Sequence, residues 1–109
     1  MPLVLHHDNS PIELKRSSHW DAVRDAHLRQ FPTCAACGKR ALLNVHHIKP
    51  FHLFPSLELD GSNLITLCED QVINCHLLFG HLRSWPAYNP TVVQDAASWY
   101  AKMKARLTA

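Results

Sequence analysis

Four cysteines constrain this chain more than any other feature. Cys34-Ala-Ala-Cys37 is followed by Gly38, and a second pair, Cys68 and Cys75, comes later. Two cysteines at this close spacing chelate one Zn²⁺ when the backbone turns tightly between them, and glycine permits such a turn. Four thiolates complete a closed tetrahedral site, and a small domain gains folding free energy from it. The opening Met1 to Asp8 lacks the basic region and long apolar stretch of a secretory signal. A reducing, cytoplasmic setting is therefore expected, and in it paired cysteines read as metal ligands. Two disulfides in a secreted chain are the alternative. A thioredoxin-like redox motif would need a βαβ setting and a single pair. Cys34, Cys37, Cys68 and Cys75 are thus the expected structural zinc ligands.

With 109 residues the chain has room for one small domain. Its 47% hydrophobic and 18% charged residues argue for a folded chain over a disordered one. No apolar run approaches the roughly 20 residues of a membrane helix, so no membrane partner is expected. A net charge of +2 is too small for a protein that coats nucleic acid by electrostatics alone.

Punctuation by Pro2, Asn9, Ser10 and Pro11 marks 1–16 as an irregular arm, with an apolar patch at Leu3 to Leu5 and solvated His6 and His7. Residues 17–109 form the domain. A helix is expected from Trp20 to Gln30, opened by a Ser18/Asp21 capping box and stopped by Pro32. Trp20, Val23, His27 and Phe31 form its core-facing stripe. Arg16, Arg24 and Arg29 form a solvated or phosphate-facing surface. Strands are expected at Ala41 to Ile48 and Asn63 to Cys68, with 49–61 as a loop. A short helix from Cys75 to Leu82 follows the polar stretch 69–74. The last helix, Thr91 to Leu107, has Thr91 as its cap and a stripe of Val92, Ala96, Trp99 or Tyr100, Met103 and Leu107. The sum is an α+β domain.

Nine histidines are the other compositional outlier, and five chemistry-bearing residues, His46, His47, Asn63, His76 and His81, fall between or just after the cysteines. Neighbours on a strand face opposite ways, so His46 and His47 divide the labour. One can hold a metal while the other stays free as a base near neutral pH. Cys75 and His76 are about 100° apart on a helix, so Cys75 can face the zinc while His76 faces a second metal.

The ordered set Cys34-x-x-Cys37, Val45-His46-His47-Ile48-x-Pro50, Leu59-Asp60-x-x-Asn63-Leu64-Ile65-x-Leu67-Cys68 and Cys75-His76-x-x-x-x-His81 resembles the HNH endonucleases. The resemblance covers about 17–100, with its motifs within 34–81. It implies a ββα-metal (His-Me finger) core flanked by N- and C-terminal helices, and hydrolysis of DNA phosphodiester bonds. By that resemblance His46 and His76 hold a catalytic divalent ion and His47 is the general base. Asn63 orients the base or helps hold the metal loop. Two departures stand out. Six residues separate Cys68 from Cys75 where many members have two, so a loop must bulge out. His81 lies five residues after His76 rather than four, which on a regular helix turns it about 140° away. Either the helix loosens at Gly80 or His81 does not join the same ion.

An imidazole-rich site implies that Mn²⁺, Ni²⁺ or Co²⁺ serves alongside or better than Mg²⁺. Lys39, Arg40, Lys49 and Arg83 flank the motif as candidate DNA phosphate contacts. One site per domain predicts a monomer or weak dimer that nicks, with little sequence specificity. The competing reading is a non-catalytic zinc module that binds nucleic acid or protein. It predicts one tight zinc and no metal-dependent hydrolysis.

Overall fold

The computed structural model describes residues 15–108; the expected arm at 1–14, with its apolar patch and paired histidines, lies outside the described residues. Helix α1 spans Trp20–Gln30, strand β1 Leu43–His47, strand β2 Leu64–Cys68 and helix α2 Val92–Thr108. Between β2 and α2 a short helical turn covers His76–Gly80. The two strands pair antiparallel, with His46 opposite Ile65 and His47 opposite Leu64. The α+β expectation is met by this small sheet with helices on its flanks. Among the described residues no helix is long and apolar enough to cross a membrane.

Leu64 to Cys68 is buried along its whole length, which fits its continuous apolar sequence. The core gathers Cys34, Ala36, Ile65, Leu67, Cys68, Cys75, Val92 and Ala96. Three of these are cysteines, so the core is centred on the expected zinc site. The tight turn after Cys37 forms as expected: Gly38 sits at φ +78°, donates to the Cys34 carbonyl at 2.8 Å, and has Tyr100 against its open side.

Several local expectations are corrected. The Ser18/Asp21 capping box does not form; His19 caps α1 and makes no side-chain cap bond. The entry is held instead by Ser17, whose N–H meets the Glu58 carboxylate at 3.1 and 3.2 Å. A long-range anchor replaces a local cap. Phe31, expected in the core stripe, is 49% exposed, because α1 buries only His27 fully. The outer half of α2 also leaves the body, and Leu107 is 82% exposed. The expected loop 49–61 contains a 3₁₀ turn at Pro55–Leu57 and runs on into a second at Gly61–Asn63, so Asn63 belongs to a turn and not to β2. Asp60 caps the second turn by accepting from the Ser62 N–H.

The short helix after Cys75 is a π-helical turn that stops at Gly80. Such a turn closes i to i+5 bonds and carries more residues per turn than an α-helix. It is the loosening that residues five apart require to share a face. Gly80 is needed there for a second reason. A Cβ on it would lie 3.0 Å from His46 Cε1, so a larger residue would press the β1 histidine out of its place against the turn.

Candidate metal centres and active site

The four cysteine sulfurs lie within 4.8 Å of one another. Cys34, Cys68 and Cys75 are buried and Cys37 is half-buried. The Cys37 and Cys68 sulfurs are 3.7 Å apart. Two thiolates on one tetrahedral zinc at about 2.3 Å stand about 3.8 Å apart, so the spacing fits. Sharing of protons within the cluster separates the thiols. A hydrogen bond from Cys75 pulls Cys34 down to about 4, while burial raises Cys37 to about 11 and its bond to Cys34 pushes Cys75 up. A site that already favours a thiolate suits a divalent cation.

The expected bulge at 69–74 is present, and its Asp70 carboxylate accepts from the Val72 and Ile73 N–H groups at 3.0 and 3.3 Å. It leads directly into Cys75 and His76. These neighbours part as expected: Cys75 joins the sulfur cluster and His76 joins a histidine cluster.

That second cluster holds His46, His76 and His81, each offering a ring nitrogen within 4.8 Å of the others. Their ring centroids stand 4.9 to 5.0 Å apart. The outer nitrogens are committed. His76 Nδ1–H donates to Glu69 Oε2 at 2.8 Å, and His81 Nδ1–H donates to the Ala87 carbonyl at 2.8 Å. Both bonds fix the tautomer that leaves Nε2 with a lone pair. Asn44 Nδ2 steadies the same Glu69 oxygen at 3.1 Å. His46 Nδ1 faces His76 Nε2 at 3.1 Å, while His46 Nε2 is buried with no partner among the described residues. Burial, reinforced by His76 and His81, lowers His46 to about 3. Burial also lowers His76, against the pull of Glu69, so His46 and His76 both favour the neutral form. Crowded imidazoles with an orphaned buried nitrogen are the donor set that a transition-metal ion takes.

His47 leaves β1 on the other side from His46, as strand alternation requires. Its ring packs on Trp20 at 4.5 Å. His47 Nε2 is 2.9 Å from the Glu58 carbonyl, and a carbonyl only accepts, so Nε2 carries the proton and Nδ1 keeps a lone pair. Burial lowers its pKa, partly offset by the bond to Glu58.

Asn63 was expected to hold the base through its amide. It makes no such bond: the Glu58 main chain does. Asn63 acts one step back, closing the loop by accepting from the Lys49 N–H at 2.8 Å and donating to the Lys49 and Leu57 carbonyls at 3.1 and 3.3 Å. The loop it closes, between β1 and β2, carries none of the clustered metal ligands.

Both histidine groups open onto one cleft of about 400 Å³. The four expected phosphate contacts do not line it. Lys39 pairs with Asp70 at 3.0 Å on the zinc-knuckle side, and Lys49 lies over the Phe54 ring at 5.6 Å. Arg40 is exposed elsewhere, and Arg83 lines a separate groove with Val72, Leu77 and Leu78. The cleft cations are Arg16 and Arg24, brought in by α1 and its lead. Arg16, expected in the arm, lies 3.8 Å from the buried Glu58 carboxylate and over the Phe51 ring at 4.6 Å. Glu58, Glu69 and Trp85 were not singled out by the motif. Glu69 alone had a local signal, a carboxylate beside Cys68 and close before His76.

Residues 34–79 match the HNH endonuclease family. The matched segment runs from the first cysteine into the π-helical turn and stops just before Gly80. It contains β1, β2, all four cysteines, His46, His47, Asn63 and His76. His81 and the α1 contribution to the cleft lie outside it. No curated protein and no solved structure matches this chain. The HNH match and the two ligand clusters together support a nuclease-type hydrolase that uses metal.

Proposed function

We propose that this HNH chain is a metal-dependent endonuclease that hydrolyses DNA phosphodiester bonds. The observation that carries the proposal is the placement of His47 beside, and not within, the His46/His76/His81 cluster. Its Nε2–H is committed to Glu58 and its Nδ1 has no hydrogen-bond partner among the described residues.

In this reading His47 Nδ1 takes a proton from water as the oxygen attacks phosphorus. The bond from phosphorus to the 3′ oxygen breaks, that oxygen takes a proton from solvent, and the products carry 5′-phosphate and 3′-hydroxyl ends. The Glu58 carbonyl orients His47 and shares the charge it gains. Trp20 holds the ring plane. Arg16 and Arg24 attract the phosphate to the cleft. His46, His76 and His81 would hold a divalent ion, which when bound offsets negative charge on the phosphate and the departing oxygen. Cys34, Cys37, Cys68 and Cys75 would hold structural zinc. Imidazole ligands favour Mn²⁺, Ni²⁺ or Co²⁺ over Mg²⁺. With one site per chain, nicking precedes linearisation, with little sequence preference.

Supercoiled plasmid tests this directly. Stripped and re-metallated protein nicks it with Mn²⁺, and His47→Ala removes the nicking while keeping the fold. Nicking that survives the substitution would reassign the base. No nicking with any metal, from protein that holds zinc, would favour a non-catalytic zinc module.

A further inference from the structure

The walls of the histidine cleft are aromatic to a degree that hydrolysis does not require. Trp20, Phe51, Trp85 and Tyr88 all line it. Trp20 and Phe51 have evident internal work, packing on His47 and beneath Arg16. Trp85 is different. It contacts His81 and His76 at ring centroids of 4.9 and 5.2 Å, yet remains 51% exposed. A large ring packed against a cleft floor and half open to solvent is a surface on which another flat ring can stack.

Charge points the same way. Arg16 and Arg24 are the cleft cations, and the whole chain carries only +2. Duplex binding rests mainly on many phosphate contacts. This cleft has few cations and several rings. Single strands also use cations along the backbone, but stacking on aromatic side chains adds about five-fold or more in affinity per base, and every base has a face to offer.

Resting on the endonuclease reading, we propose that the cleft takes an unpaired nucleotide, its base on Trp85 and its backbone drawn by Arg16 and Arg24. The preferred substrate is then single-stranded or locally opened DNA over intact duplex. Supercoiled plasmid, which opens locally, remains a substrate.

The test separates binding from cleavage. His47→Ala protein loaded with Mn²⁺ is titrated with fluorescent oligo(dT) and with a fully paired duplex, followed by anisotropy. The expected result is tighter binding of the single strand. Adding Trp85→Ala weakens single-strand binding by at least about five-fold, the lower end for loss of one stacked base, and leaves duplex binding little changed. Trp85→Phe, which keeps a ring, retains most of the affinity. Metal content of each variant is measured alongside, since Trp85 touches two cluster histidines. Duplex bound as tightly as oligo(dT), equal losses on both DNAs, or Trp85→Phe as weak as Trp85→Ala would each overturn the proposal. If Trp85→Ala does not fold, the strand preference of the His47→Ala protein and its Trp85→Phe form still decides it. Wild-type protein that fails to cut either DNA while binding as described would sink the endonuclease reading and leave the stacking site standing.

Discussion

The cysteine cluster and the histidine cluster start from neighbouring residues, Cys75 and His76, and from the same pair of strands, yet they are built for opposite ends. Three of the four cysteines are buried and all four sulfurs face one another, so four donors are present and no position is left for substrate. The histidine cluster has three donors and borders a cleft of about 400 Å³. Closed four-donor sites serve folding, while three-donor sites with an open position serve chemistry. The supporting contacts differ too. The sulfurs are surrounded by apolar core, whereas His76 and His81 are each oriented by an oxygen acceptor. Zinc removal should therefore be a stability event and loss of the second metal a catalytic one.

The sharpest way to break this contrast is at Cys34. Cys34→Ser, or a chelator strong enough to strip the sulfur site, is expected to abolish cooperative thermal unfolding by circular dichroism, because structural zinc supplies on the order of 10 kcal/mol to small domains. A cooperative transition retained after the zinc is gone would mean the core stands without it. Next is His76→Ala. We expect one metal equivalent, a melting transition near that of wild type, and plasmid nicking down by about a hundred-fold or more. Collapse of the fold would show that the histidine side is structural as well.

Glu69→Gln sharpens the comparison without removing a metal-facing donor. Loss of the carboxylate that orients His76 should weaken the second metal by about 10- to 100-fold, read from the Mn²⁺ dependence of nicking, and leave zinc content unchanged. A further test is on pH. Burial lowers His46, His47 and His76 below the ordinary 6.5, so the unfolded chain binds protons that the folded chain refuses. Stability of protein lacking the second metal is then full above about 6.5 and falls as pH drops towards about 3, where folded His46 takes its own proton. Urea midpoints across that range should decline with acid, and His46→Asn should flatten the slope. An unchanged slope would place the lost protons elsewhere.

Much of this arrangement could be read from the order of residues. The bounds of α1 coincide with the span expected from Trp20 to Gln30, and both strands lie inside their expected segments. The gathering of four cysteines, the opposite placement of His46 and His47, and the parting of Cys75 from His76 all follow from ligand chemistry and local periodicity. Local rules carry such features because they depend on residues a few positions apart. The three-dimensional chain decided the rest. The π-helical turn that brings His81 to His46 depends on Gly80 meeting a β1 side chain. The partner of His47 is a main-chain carbonyl, which any residue has and no motif marks, 11 positions along the chain. The anchor of α1 to Glu58 spans 41 positions, and with it come Arg16, Arg24 and Trp20 to the cleft. Contacts of that kind leave no spacing in the sequence, because folding sets the distance between such residues and their separation along the chain does not.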